Sequence, residues 1–109
     1  MLPLQITPQE VKQRLDSGEK IRFVDVREPF EFRQAHIEGS ELIPMRTVAK
    51  ALPSFEEETA PLILFCHHGM RSLQIASWLR EQGVESSRSM DGGIDRWSLE
   101  IDPAVPRYT

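Results

Sequence analysis

The chain has only one cysteine in 109 residues. Cys66 therefore has no partner for an intramolecular disulfide, which favours a reducing compartment, and a cytoplasmic location is expected. Long hydrophobic runs are missing too. None approaches the roughly 18 residues of a membrane span, so no membrane partner is expected. The opening "MLPLQITPQEVKQRL" lacks a basic region followed by a long apolar segment, so it does not read as a secretory signal. Positive charge is in deficit: 13 Lys and Arg stand against 17 Asp and Glu, a formal charge of -4. That argues against nucleic acid as the main partner, because phosphate backbones select basic faces. Repeats are absent. "FEEET" (55–59) is the one notable charge run and is expected to be a solvated loop.

What remains is a composition near the globular average, in a length that fits one domain over residues 1–109 with one hydrophobic core. "TPQEVKQRLDSG" predicts a helix with both ends specified. Thr7 caps it, Pro8 suits its first position, Glu10 completes a capping box and Gly18 stops it. "IRFVDV" (21–26) reads as a strand and "SELIP" (40–44) as a shorter one. A helical turn is expected over residues 29–33. "RTVAKALPSF" reads as a helix ended by Pro53. "PLILFC" is apolar throughout, as a strand buried on both faces must be. "RSLQIASWLREQG" is a helix with Ile75, Trp78 and Leu79 on its core face and Leu73 and Ala76 beside them. "SSRSM" suggests a weak strand. "GGIDRWSL" turns at Gly92 and Gly93 and opens a helix. Strands alternating with helices predict an α/β fold, a parallel sheet covered on both faces. Ligands in such folds bind beyond the carboxyl ends of the strands.

Cys66 stands at that end of the strand expected to be most central. Behind it, "CHHGMRS" is a short island with no carboxylate in an acidic chain. A strand turning tightly into a helix presents successive N–H groups to one point, and the helix adds its positive end. A cysteine at the start of such a loop has its thiolate favoured. Gly69 supplies the backbone angles of the turn. Arg71 is misplaced in the first turn of a helix unless an anion lies between it and the helix end. Each residue also has a plain alternative: a buried small hydrophobe, a turn glycine, two solvent-facing histidines. Their concentration in one loop favours function. A metal is not expected, because Cys66, His67 and His68 are consecutive and no second ligand cluster accompanies them. No cofactor is called for.

Three segments together resemble a single-domain rhodanese over nearly the full length. They are "FVDVREPFEFRQAHIEGSELIP" (23–44), with Asp25, Arg27, Glu31, His36, Ile37 and Gly39 in the pattern; "CHHGMRS"; and "MDGGIDRW" (90–97), with Gly92, Gly93 and Trp97. The resemblance implies a small five-stranded parallel sheet and a sulfurtransferase. Sulfane sulfur would pass from a donor such as thiosulfate to Cys66, then as a persulfide to cyanide, a thiol or a protein. It implies that the amides of His67, His68, Gly69, Met70, Arg71 and Ser72 cradle the persulfide, and that Arg71 steers the donor or fixes the loop. Asp25 and Arg27 would brace the loop region, and His36 would pack and hydrogen-bond. Trp78 and Trp97 read as core aromatics.

One departure concerns the place after the cysteine, where many members carry arginine or lysine and this chain has His67, then His68. Histidine titrates near neutrality. The loop charge would then vary with pH, making a less charged donor or a protein persulfide more plausible. A protein partner would dock over His67, His68 and Met70. The rival readings are a partner-dependent sulfur relay or binding module, and a phosphatase or arsenate reductase on the related fold. The latter pair use Cys-x5-Arg, whereas four residues separate Cys66 from Arg71.

Overall fold

The computed structural model describes residues 2–109. Five strands form one all-parallel sheet: β1 (Gln5–Ile6), β2 (Arg22–Asp25), β3 (Glu41–Leu42), β4 (Leu62–Phe65) and β5 (Arg88–Met90). Their spatial order is β1-β5-β4-β2-β3, so β4 is the middle strand. Four helices connect them, α1 (Pro8–Asp16), α2 (Pro29–Gln34), α3 (Val48–Glu57) and α4 (Met70–Glu81), and α5 (Gly93–Glu100) follows β5. Among the described residues, no helix is long and apolar enough to cross a membrane.

The apolar run of β4 is explained by its two faces. Ile63 and Phe65 join Phe23, Met90, Ile94 and Trp97 in one core cluster. Leu62, Leu64 and Cys66 join Val24, Val26, Ile75, Ala76 and Leu79 in the other. A strand's period of two sends neighbours to opposite faces, and both faces are covered, so every residue must be apolar. The β4 side chains are 0–1 % exposed. Truncating one of them to alanine costs about 2–5 kcal/mol at such a site.

Several sequence expectations change here. Thr7 does cap α1, accepting from the Glu10 amide at 3.2 Å. Pro53 does not end its helix; it lies inside α3, which runs on to Glu57. The carbonyl that Pro53 leaves unpaired in an ideal helix is that of Ala49, and both residues are exposed, so the group lies on the solvent side of the helix. "FEEET" is accordingly not a solvated loop throughout: Phe55 is buried in the core under the Arg22 guanidinium, 4.7 Å from the ring centroid. Trp97 is buried in the core, whereas Trp78 is only partly buried against the second cluster. The strand β1 was not foreseen, being two residues long.

Candidate active site

β4 ends at Phe65, and Cys66 begins the loop into α4. The turn is made by Gly69, whose φ of 104° lies in the left-handed region where a side chain is strained. This curls the chain so that the Gly69 amide donates to Cys66 Sγ at 3.1 Å and the Ser72 amide does so at 3.4 Å. The Ser72 hydroxyl stands 3.6 Å from the same sulfur and shares a 2.7 Å hydrogen bond with Ser89 on β5. Cys66 itself is 1 % exposed. Burial alone fits a small hydrophobe, but two N–H groups and a hydroxyl aimed at the sulfur are an environment for an anion. The amides of His67, His68, Met70 and Arg71 make no hydrogen bond to Sγ itself.

The floor of the loop is α5. The Ile94 amide donates to the Cys66 carbonyl at 2.9 Å and the Asp95 amide to the His67 carbonyl at 3.1 Å. The first turn of α5 thus hands its free N–H groups to the start of the loop. Contact is so close that a Cβ on Gly93 would lie 2.3 Å from the Cys66 carbonyl oxygen and 2.5 Å from that of His67.

The island without carboxylates gains two in three dimensions. Arg71 holds Glu31 with two hydrogen bonds, 2.8 and 3.0 Å. Glu31 is the anion that makes a cation tolerable at the start of α4. Burial pushes the Glu31 carboxyl up, but Arg71, the Glu28 amide and the Tyr108 hydroxyl outweigh it and bring it down to about 2. The Arg71 guanidinium is driven upward, chiefly by its hydrogen bonds to Glu31. Of the two expected roles, this geometry suits fixing the loop: the guanidinium fork is already occupied by a carboxylate.

Asp95 approaches the histidines from the other side. His68 Nε2 lies 3.8 Å from it, and Arg107 holds it at 2.8 and 3.2 Å. Ligand atoms of His67, His68 and Asp95 lie within 4.8 Å of one another, so a third candidate ligand is present that the sequence did not reveal. The two imidazoles are stacked at 3.9 Å, however. Lone pairs lie in the ring planes, which stand 28° apart in this stack, well short of the roughly tetrahedral divergence that two ligands of one ion need.

His67 is packed between His68 and Tyr108, with a 4.0 Å stack on the phenol ring. Its Nε2 is enclosed and has no hydrogen-bond partner among the described residues. Burial first, then the neighbouring His68, lowers its pKa below the ordinary 6.5. The expected pH-variable charge is therefore not at His67 near neutrality. His68 is exposed, and Met70 is 68 % exposed.

Asp25 and Arg27 form a fully buried pair at 2.7 Å. Arg27 also donates to the Ala35 carbonyl at 2.7 Å and to Tyr108 Oη at 2.7 Å. Burial opposes the Arg27 charge, but its bonds to Asp25 and Tyr108 prevail and raise its pKa. None of these hydrogen bonds goes to the Cys66 loop. His36 is exposed, stacked on Phe32 at 4.6 Å. Glu31, Asp95 and Tyr108 carry no site assignment in the sequence reading. Glu31 has one usable signal, its place in the N-terminal turn of α2 three residues after Glu28, whose amide it accepts at 3.1 Å. Tyr108 has none.

Comparison with known proteins gives one answer. Residues 7–100 match the rhodanese-like domain. The thiosulfate sulfurtransferase GlpE of Pseudoalteromonas translucida is 37% identical over 89 residues, covering 82% of this chain and 84% of that one. The probable adenylyltransferase/sulfurtransferase MoeZ of Mycobacterium tuberculosis is 31% identical over 105 residues, 94% of this chain and 26% of that protein. The chain thus spans about a quarter of this longer relative. The crystal structure of a rhodanese-like domain protein from Staphylococcus aureus superposes with a TM-score of 0.81 at 27% identity, over 98% of this chain and 100% of that one. A parallel five-stranded α/β fold, a cysteine loop at the end of its middle strand and the family match over residues 7–100 agree: the chain belongs to the rhodanese-like family.

Proposed function

We propose that this chain, working as one domain, carries sulfane sulfur on Cys66. The observation behind this reading is the convergence of the Gly69 and Ser72 amides and the Ser72 hydroxyl on one sulfur atom. Those donors stabilise negative charge on sulfur without a counter-ion. In the first half-reaction the Cys66 thiolate attacks the outer sulfur of a donor such as thiosulfate. The donor's S–S bond breaks, and sulfite leaves with its electron pair. In the second, a nucleophile (cyanide, a thiol or a protein thiol) attacks the outer sulfur of the persulfide. The bond to Sγ breaks and the thiolate returns. Splitting the transfer in two is covalent catalysis. The outer sulfur extends past Sγ toward the amides that Sγ does not reach, those of His67, His68, Met70 and Arg71. Asp25, Arg27 and Arg71 act as braces.

A phosphatase reading is less well served. Its Cys-x5-Arg loop closes around a tetrahedral oxyanion, and here only four residues separate Cys66 from Arg71. The test is thiocyanate formation from thiosulfate and cyanide. Wild type turns over and Cys66→Ser does not; equal rates in both would remove Cys66 from the reaction.

A further inference from the structure

Residues 101–109 follow the stretch 7–100 that the rhodanese-like domain matches, and they return to the site. Three anchors hold them. Val105 is buried in the first core cluster, and its carbonyl accepts from Ser98 Oγ. Arg107 grips Asp95, the neighbour of His68. Tyr108 then meets the loop in two ways. Its ring covers the His67 imidazole at 4.0 Å with an interplanar angle of 10°. Its hydroxyl accepts from Arg27 Nη1 at 2.7 Å and donates to Glu31 Oε2 at 2.8 Å.

The direction of these bonds is fixed by chemistry. A guanidinium can only donate and a carboxylate can only accept, so the single phenol proton must go to Glu31. Tyr108 keeps that proton: burial foremost, and the Glu31 carboxylate, raise its pKa to about 12 despite Arg27. The result is one continuous series, Asp25–Arg27–Tyr108–Glu31–Arg71, running from the end of β2 to the first turn of α4. Tyr108 is the side-chain link between the buried pair and the loop pair, beside a longer 3.4 Å bond from Arg27 Nη1 to the Glu31 backbone carbonyl. The ring meanwhile excludes water from His67. The groups facing His67 are His68 from the loop, which lowers its pKa, and the Tyr108 backbone, Asp95 from α5 and Glu31 from α2, which raise it less than burial lowers it, with Arg107 on Asp95.

Resting on the persulfide reading, we propose that Tyr108 is a positioning residue for sulfur transfer, its hydroxyl holding the Glu31–Arg71 brace and its ring covering His67. Two substitutions separate the halves. Tyr108→Phe keeps the ring and removes the bridge. Tyr108→Ala removes both. The readouts are alkylation of Cys66 by iodoacetamide, which needs no sulfur transfer, the His67 titration followed by NMR, and the pH profile of thiosulfate turnover. Tyr108→Phe should change the alkylation rate by about five-fold, the factor corresponding to one net hydrogen bond of ~1 kcal/mol. It should leave the His67 midpoint depressed. Tyr108→Ala should raise that midpoint toward 6.5. Below that pH the added loop charge should lower the KM for thiosulfate relative to wild type. An alkylation rate within two-fold of wild type in folded Tyr108→Phe overturns the bridging role. A midpoint that stays depressed in Tyr108→Ala overturns the covering role. If both variants respond as expected while wild type transfers no sulfur, the persulfide reading falls and the positioning role stands.

Discussion

Glu31 is where the loop is most exposed to a single substitution. Its side chain is 7% exposed and its partner Arg71 is 35% exposed. Its carboxyl sits at about 2 in the folded chain against an ordinary 4.5. At about 1.4 kcal/mol per unit, this difference amounts to stability on the order of 3 kcal/mol. The pKa is depressed on folding, so the contribution is fully present above 4.5 and is lost as pH falls through about 2. Glu31→Gln removes the charge and keeps the shape. Arg71, a third exposed, regains some hydration, so the cost at pH 7 should be about 2 to 3 kcal/mol. A chain of this size then melts about 8 to 12 °C lower. The assay is urea unfolding of wild type and Glu31→Gln at a series of pH values. The gap should be constant from pH 7 to about 5 and close progressively below 4.5. A gap under ~0.5 kcal/mol at pH 7, or one that does not change with acid, would refute the claim that Glu31 is held ionised by Arg71.

Two further outcomes follow from the packing of the loop. Gly93→Ala places a methyl group 2.3 Å from the Cys66 carbonyl oxygen in a left-handed conformation. It should destabilise by more than ~2 kcal/mol and abolish transfer, as thermal melting and thiocyanate assay would show. Because the fork of Arg71 is filled by Glu31, Arg71→Ala should weaken transfer from thiosulfate and from a neutral persulfide donor to the same extent, roughly ten-fold or more; this is the factor for about 1.4 kcal/mol of lost positioning. A loss confined to thiosulfate would instead make Arg71 a steering residue.

The parts of the fold written in the sequence are those set by local rules. The unbroken run ending at Cys66 could only be a strand covered on both faces, and it is the middle strand. Thr7 and Pro8 mark the start of α1 because capping is a matter of a few adjacent residues, whereas the Glu10 carboxylate pairs with Arg14 and Arg88 and does not close the expected capping box. Pro53 misleads because a proline's cost depends on whether the carbonyl it orphans can reach water, and that is decided by tertiary exposure. Gln5–Ile6 is too short to show alternation and is a strand only because β5 lies beside it. The loop itself was legible: a lone cysteine, a glycine for the turn, an arginine wanting an anion. The anion was not. Glu31 lies 40 residues from Arg71 in sequence, and Tyr108 lies 77 from Glu31. Nothing about isolated charges or a single tyrosine announces such contacts. They arise from how α2 and residues 101–109 pack around the end of the sheet.

The central claim is that Cys66 carries sulfur, and intact-protein mass spectrometry tests it most directly. Wild type and Cys66→Ser are incubated with thiosulfate, or with a protein persulfide, and measured before and after cyanide. Wild type should gain one sulfur atom, absent from Cys66→Ser and removed by cyanide. A wild type that gains no sulfur from either donor, or a Cys66→Ser variant that gains it equally, would contradict the account.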